Sequence, residues 1–227
     1  MNGAAAPAYR PILQRTGMVL LVVGVIDIGV MFYCIANDIG YASSLNVFAA
    51  VAGIFMMRGS LRTASNVHGF AAMLLMALMA SLLALPFFLP LDLTMTYVRL
   101  NPFTALTAVL FALAFAGLAG WVTRELGRPV VQEAIAAAGV KQRRIGYNAL
   151  IGLVIVVLGV VFVTAMHTGE SATRARDMAQ KQLGPGYHYH VTSLSMTGDG
   201  SRTNVSAQVT AWKHDEIRTV PVSWSDP

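Results

Sequence analysis

The chain has 227 residues, of which 56% are hydrophobic and only 12% are charged, and its formal net charge is +5. Soluble domains average about a quarter charged residues, so this composition excludes an ordinary soluble protein and indicates an integral membrane protein. The single cysteine, Cys34, excludes an internal disulfide and any site built on paired thiols.

Five apolar stretches follow one another along the chain, after an amino-terminal segment of residues 1–16. Each predicts a membrane-spanning helix, because about 20 apolar residues cross a hydrocarbon core of about 30 Å. They cover residues 17–36, 42–57, 69–91, 103–123 and 147–166. The first four predict a helical bundle over 17–123, and the second is the weakest because its polar start leaves it short.

Basic residues flank these spans unequally. If the amino terminus is cytoplasmic, the cytoplasmic segments contain Arg10, Arg15, Arg58, Arg62, Arg124, Arg128, Lys141, Arg143 and Arg144. The two short outer loops contain one basic residue, Arg99. This positive-inside pattern predicts a cytoplasmic amino terminus, and five spans then leave the carboxy-terminal region in the periplasm of a bacterial inner membrane. The basic charge therefore sets topology, and no nucleic-acid partner is expected.

Asp27 is the only acidic residue inside a predicted span. A carboxylate at that depth costs about 3 kcal/mol on insertion scales, so it normally faces a protein interior, a wet cavity or a partner. The polar residues of neighbouring spans that it could reach are Asn46, Thr104 and Thr107. Two interpretations stay open, namely a polar contact between helices and an ion or proton site of a transporter or channel.

Two segments between the spans are amphipathic. Residues 86–101 predict an interfacial segment on the outer side, because residues 91–101 are too polar to cross the membrane, and Tyr97 would anchor it. Residues 124–146 predict a basic cytoplasmic linker that contains a surface helix starting at Pro129.

The last region, residues 167–227, predicts a small α+β domain in the periplasm. Residues 170–183 predict a helix with one apolar side, which the Gly-Pro-Gly run 184–186 ends. Alternating residues over 187–197 and a further strand on each side of later turns predict a three-stranded antiparallel sheet of order 1-2-3. Pro221 cannot donate to a strand ladder, so the third strand belongs at an edge.

A two-residue turn at Asp199-Gly200 predicts the register of the first hairpin. Counted from this turn, Leu194 lies opposite Val205, Thr192 lies opposite Ala207, and His190 lies opposite Val209. His188 and His190 would then share the apolar face that the helix covers.

Two groups of side chains in this domain could bind something. Tyr187, Tyr189, Trp212 and Ile217 are expected to form an aromatic contact surface on the open face of the sheet. His188, His190 and His214 could bind zinc or copper, although ordinary polar side chains at the end of the core explain the same residues.

The sequence contains no Gly-rich phosphate loop, His-Glu-x-x-His, Gly-x-Ser-x-Gly or Cys-x-x-Cys motif, and we expect no cofactor. The predicted fold is a mainly α integral membrane protein with five transmembrane helices and a small domain of one helix on a three-stranded sheet. The function that fits is non-enzymatic: an accessory, assembly or scaffold protein that presents its periplasmic domain to another envelope protein or to a second copy. A small transporter or channel that uses Asp27 is the alternative, and periplasmic zinc or copper handling is the third.

Overall fold

A computed structural model of the protein describes residues 7–38, 40, 46–142, 144–198 and 203–226. Over these residues the chain forms mostly helices, followed by a three-stranded antiparallel sheet. In chain order the elements are α1 (Arg10–Ala36), α2 (Asn46–Met57), α3 (Leu61–Phe88), α4 (Leu91–Leu100), α5 (Pro102–Leu126), α6 (Pro129–Ala137), α7 (Ile145–Thr168), α8 (Glu170–Leu183), β1 (His188–Gly198), β2 (Thr203–Lys213) and β3 (Glu216–Asp226).

Within the described residues, four helices are long and apolar enough to cross a membrane, namely α1, α3, α5 and α7. The expectation of five full spans is therefore one more than the structure supports. The second apolar stretch contributes only the 12 residues of α2, which extend about 18 Å against a core of about 30 Å. Its predicted start at residue 42 lies outside the described residues.

The two amphipathic segments form short helices. Residues 91–100 of the expected interfacial segment are α4, while residues 86–88 complete α3, which continues through Pro86. The expected linker helix is α6, which begins at Pro129, and its Val131 and Ile135 are fully buried.

The chain divides into two compact units. The first consists of Met1–Ala77 and Phe115–Leu153, and the second of Leu78–Ala114 and Val154–Pro227. The core of the first unit gathers side chains from α1, α2, α3 and α5, of which Leu13, Met56, Ala64, Ala71, Val122 and Leu126 are buried.

Helices α1 and α2 pack closely and run antiparallel in the first unit. A Cβ on Gly53 would lie 2.5 Å from the Gly17 carbonyl oxygen and 3.0 Å from Leu21 Cβ, while one on Gly17 would lie 3.0 Å from the Met57 nitrogen. Residue 21 thus faces residue 53, and residue 17 faces residues 53–57. Only glycine permits such a close approach of two helix backbones, and glycine has this role in many membrane helix pairs.

The second unit contains the sheet, with the predicted order β1-β2-β3 and antiparallel pairing. Helix α8 covers one face as predicted, and Gly184, with φ of +86°, ends it. The shared core consists of Ala172, Ala175, Ala179, Val191, Ala207, Val209, Val220 and Val222. Pro221 lies on β3, an edge strand, opposite Gln208.

The predicted register of the β1–β2 hairpin is wrong. Leu194 pairs with Ala207 and Met196 with Val205, and the last pair before the connection is Gly198 with Thr203. Residues 199–202 therefore join the strands in place of a two-residue turn, and they lie outside the described residues.

A β-bulge between Val191 and Ser193 is a second difference from the predicted hairpin. One extra residue in β1 turns every earlier side chain to the other face of the sheet. Val191, 4% exposed, enters the core below α8, and His188 and His190 lie on the opposite face and not in the core. Burial of a valine in place of Thr192 favours this arrangement, and the Thr192 hydroxyl donates to the Gln208 carbonyl oxygen (3.0 Å).

Candidate functional site

His190 meets the end of α7 on the face of the sheet opposite α8. Its ring centroid lies 4.4 Å from that of His167, with 71° between the ring planes. His190 hydrogen-bonds the backbone of Phe88, at the end of α3, and His167 hydrogen-bonds the backbone of Val191. Two neighbouring histidines thus connect β1 to the last turns of α3 and α7.

The electrostatics of this contact favour neutral His190. Burial is the main reason that the pKa of His190 lies below its ordinary value, and the nearby His167 and Arg176 lower it further. Arg176, on α8, donates from Nη2 to the His167 carbonyl oxygen (3.1 Å) and from Nε to the Ala172 carbonyl oxygen (3.3 Å). The guanidinium therefore satisfies a carbonyl at the end of α7, where cations are favourable.

Helix α4 packs against β2 and β3 on this same face. A shallow cleft of about 350 Å³ lies here, and its lining includes Asp92, Arg99, His188 and Trp212. The His188 and Trp212 ring centroids are 5.5 Å apart, and Trp212 is only 5% exposed. Both faces of the sheet are thus covered, one by α8 and the other in part by α4.

The turn between β2 and β3 holds a charged cluster made of Tyr187, Lys213, Glu216 and Arg218, called the turn cluster below. The Tyr187 hydroxyl donates to Glu216 Oε2 (2.8 Å), Lys213 Nζ lies 3.0 Å from the same oxygen, and Arg218 Nε donates to Oε1. Lys213 Nζ also lies 5.0 Å from the centroid of the Tyr187 ring. These donors, Lys213 first, then Tyr187 and Arg218, lower the pKa of Glu216 to about 2.

The structure does not gather the predicted aromatic contact surface into one patch. Tyr187 belongs to the turn cluster, and Tyr189 packs against the core beneath α8 with its hydroxyl donating to the Gly184 carbonyl oxygen. Trp212 and Ile217 pair across the opposite face. The bulge in β1 explains the separation, because it moves Tyr189 to the covered face.

The three predicted metal-binding histidines also have separate surroundings. His190 contacts His167, and His188 contacts Trp212. His214 accepts from Arg99 Nη1 at Nε2 (2.7 Å) and also contacts Asp215. No group of three or more His, Cys, Asp or Glu side chains in the described part of the chain could hold a metal ion.

Of the predicted intramembrane polar residues, Asp27 belongs to the first unit, where it is half-buried on α1 and has an interaction partner. Asn46 is the first residue of α2, and its side chain lies outside the described atoms. Thr104 and Thr107 belong to the second unit and are exposed on α5, where the Thr107 hydroxyl donates to the Phe103 carbonyl oxygen (2.8 Å).

The antiparallel packing of α1 and α2 shows which part of α2 lies beside Asp27 along the helix axes. Leu21 faces Gly53, Asp27 follows Leu21 by six residues, and Val47 precedes Gly53 by six. Because both helices rise 1.5 Å per residue, Asp27 is level with Val47, in the first turn of α2. A carboxylate near a helix amino terminus is favourable, since the backbone N–H groups there carry partial positive charge.

Sequence reasoning missed a buried polar network in the first unit, centred on His68. His68 is 3% exposed, and its Nδ1 accepts from Gln132 Nε2 (3.0 Å), which also donates to the Leu126 carbonyl oxygen (2.7 Å). Among the described atoms, His68 Nε2 is buried without a hydrogen-bond partner. Ser65, three residues earlier on α3, donates to the Lys141 carbonyl oxygen (2.8 Å). The signal in the sequence was Ser65 and His68 at helical spacing beside an apolar run.

No protein-family model matches the chain, and no curated protein or solved structure matches it significantly. Function is therefore inferred from the geometry of the described residues.

Proposed function

We propose that the protein is a non-enzymatic accessory, assembly or scaffold protein of a bacterial inner membrane, which presents its carboxy-terminal domain to another envelope protein or to a second copy. The observation that carries this proposal is the contact between His167 and His190. With Phe88 and Arg176, it fixes β1 to the ends of α3 and α7. A domain held in one orientation suits presentation of a surface, because less entropy is lost when a partner binds.

The turn cluster is the surface that we propose for the partner. The side chains of Lys213 and Arg218 are 50% and 54% exposed, and Tyr187 lies beside them. Tyrosine and arginine are enriched among residues that dominate binding energy at protein interfaces. Glu216 holds these groups in place, so the surface is ordered before a partner arrives.

The topology that we propose keeps the amino terminus in the cytoplasm and the sheet in the periplasm. The positive-inside pattern supports it. Four spans alone would leave both termini on one side, so this topology also requires α2 to carry the chain back across the membrane. The antiparallel pairing of α2 with α1 favours this return, although α2 alone is too short to span the core.

Site-specific photocrosslinking in native membranes tests the proposal. A photoreactive amino acid replaces Arg218 in the full chain, and the control carries it at Ser195, an exposed position near the other end of the sheet. We expect a discrete adduct, of the chain with itself or with one envelope protein, from position 218 only. The scaffold proposal fails if position 218 gives no adduct, or gives only those obtained from position 195.

A small transporter or channel remains the second candidate, because one observation favours it. Asp27 is level with the first turn of a helix about half as long as a membrane span. Helices that begin within the bilayer often line ion or substrate sites in transporters.

Proteoliposome flux measurements decide this candidate. If it is right, Asp27→Asn abolishes proton-coupled or cation flux, while Asp38→Asn, beyond the end of α1, leaves the flux unchanged. Asp38 is a suitable control because its φ of +54° is a conformation that asparagine also tolerates. Absence of flux through the unaltered protein excludes the candidate.

A further inference from the structure

An apolar groove lies where the hairpin end of β1 meets the last turn of α7. Its volume is about 440 Å³, and Ala165, Met166, Leu194 and Met196 line it, with Glu170 and Ser171 at one side. Met196 is 55% exposed. Among the described residues that follow α7, it is the only large hydrophobic side chain that is exposed.

The level of the groove along α7 is that of a bilayer surface. The 24 residues of α7 extend about 36 Å, whereas the hydrocarbon core is about 30 Å thick. Ala165 and Met166 are in the last turn, so they lie near the boundary between acyl chains and headgroups. Just before them, Val161 and Phe162 are 60% and 65% exposed, as lipid-facing residues are. The groove thus continues the lipid-facing surface of α7 onto the sheet.

Neighbouring side chains fit the headgroup region. Met196 pairs with Val205 and Val205 with Trp224, so Met196 and Trp224 share one cross-strand row. The Arg174 guanidinium lies 5.4 Å from the Trp224 ring centroid. Tryptophan concentrates at membrane–water interfaces, and arginine there directs its charge to the headgroups.

We propose that this groove is a phospholipid contact site, in which the upper part of an acyl chain lies against Met166, Leu194 and Met196 while Arg174 faces the phosphate. The hairpin end of the sheet then rests on the bilayer. This inference depends on insertion of α7 in a membrane and is independent of any protein partner.

Spin labelling tests the site, since the chain has a single cysteine to remove. Met196→Cys and the control Ser206→Cys, which is exposed on the opposite face, are made in a Cys34→Ser background and labelled with a nitroxide. Both full-length variants are reconstituted into vesicles of phosphatidylethanolamine and phosphatidylglycerol. Collision rates with oxygen, which concentrates in lipid, and with a water-soluble nickel chelate are then measured.

The expected result is at least a several-fold higher ratio of oxygen to nickel collisions at position 196 than at position 206. Equal ratios at the two positions would overturn the proposal. Both substitutions are at exposed positions, and matched elution profiles and circular dichroism spectra establish that the two labelled proteins are folded. The crosslinking test of the scaffold proposal can succeed or fail without affecting this measurement.

Discussion

The imidazole rings of His167 and His190 lie edge to face, 4.4 Å apart between centroids, where β1 contacts α7, a helix long and apolar enough to span a membrane. The two residues are far apart in sequence, so this contact forms only once the sheet packs against the end of α7. Arg176 adds a positive charge beside the pair. The positive charge of Arg176 therefore opposes protonation of either ring to its cationic form.

The first prediction concerns the pH dependence of stability. The pKa of His190 is lowered in the folded protein, whereas in the unfolded chain it has its ordinary value of 6.5. The unfolded chain therefore binds more protons as pH drops below 6.5, and the stability of the folded protein falls. His190→Gln should reduce this loss, because the variant lacks the imidazole whose pKa is lowered. Thermal unfolding in detergent between pH 5 and pH 8 measures it, and identical profiles for the wild type and His190→Gln would refute the prediction.

The second prediction concerns the contact between α1 and α2. Gly53→Ala introduces a Cβ 2.5 Å from a backbone oxygen, so the helices must separate, at a cost of about 1–3 kcal/mol. Gly29→Ala is the matched control, because no atom beyond its own stretch of helix lies within 4 Å of its Cβ position. Unfolding in sodium dodecyl sulfate compares the two variants, and equal stability would show that α2 does not pack on α1 in this way.

The third prediction applies the same comparison to α7. A Cβ on Gly152, in the first unit, would collide with the Met73 carbonyl oxygen of α3. Gly159, seven residues later and in the second unit, has no atom beyond its own stretch of helix within 4 Å of its Cβ position. Gly152→Ala should lower the melting temperature, and Gly159→Ala should leave it unchanged or raise it slightly through helix propensity. A lower melting temperature for Gly159→Ala than for Gly152→Ala would contradict the described packing.

The fourth prediction concerns the turn cluster. Lys213→Gln removes the main cause of the low pKa of Glu216, which should rise from about 2 toward its ordinary value of 4.5. The stabilisation linked to this carboxylate is present above pH 4.5 and is lost as pH falls through the folded value. A carbon-13 NMR titration of the Glu216 carboxyl in nanodiscs gives its pKa in the wild type and in Lys213→Gln. If the two pKa values coincide, Lys213 does not hold the carboxylate.

Local patterns predicted most of the fold. The helical period of Ala172, Ala175 and Ala179, and the alternation of Val205, Ala207 and Val209, gave the helix, the sheet and the face on which they meet. The edge position of Pro221 followed from its missing N–H group.

The errors came from features that depend on distant parts of the chain. The bulge after Val191 exchanges the faces of His188, His190 and Tyr189, and alternation alone contains no signal for an inserted residue. The contact between His190 and His167 depends on this bulge, so the sequence pattern did not predict it. The apolar run that includes α2 was long enough to suggest a span, but α2 itself has only 12 residues.

Pro221 has a consequence for association between copies of the protein. An edge strand offers a row of N–H and C=O groups to which any extended chain can add, and a proline in the middle of the row interrupts it. Pro221 lies in the middle of β3, opposite Gln208, so we expect it to hinder addition of a further strand at this edge. Pro221→Val restores the missing donor and should favour fibrous aggregation of the chain at high concentration.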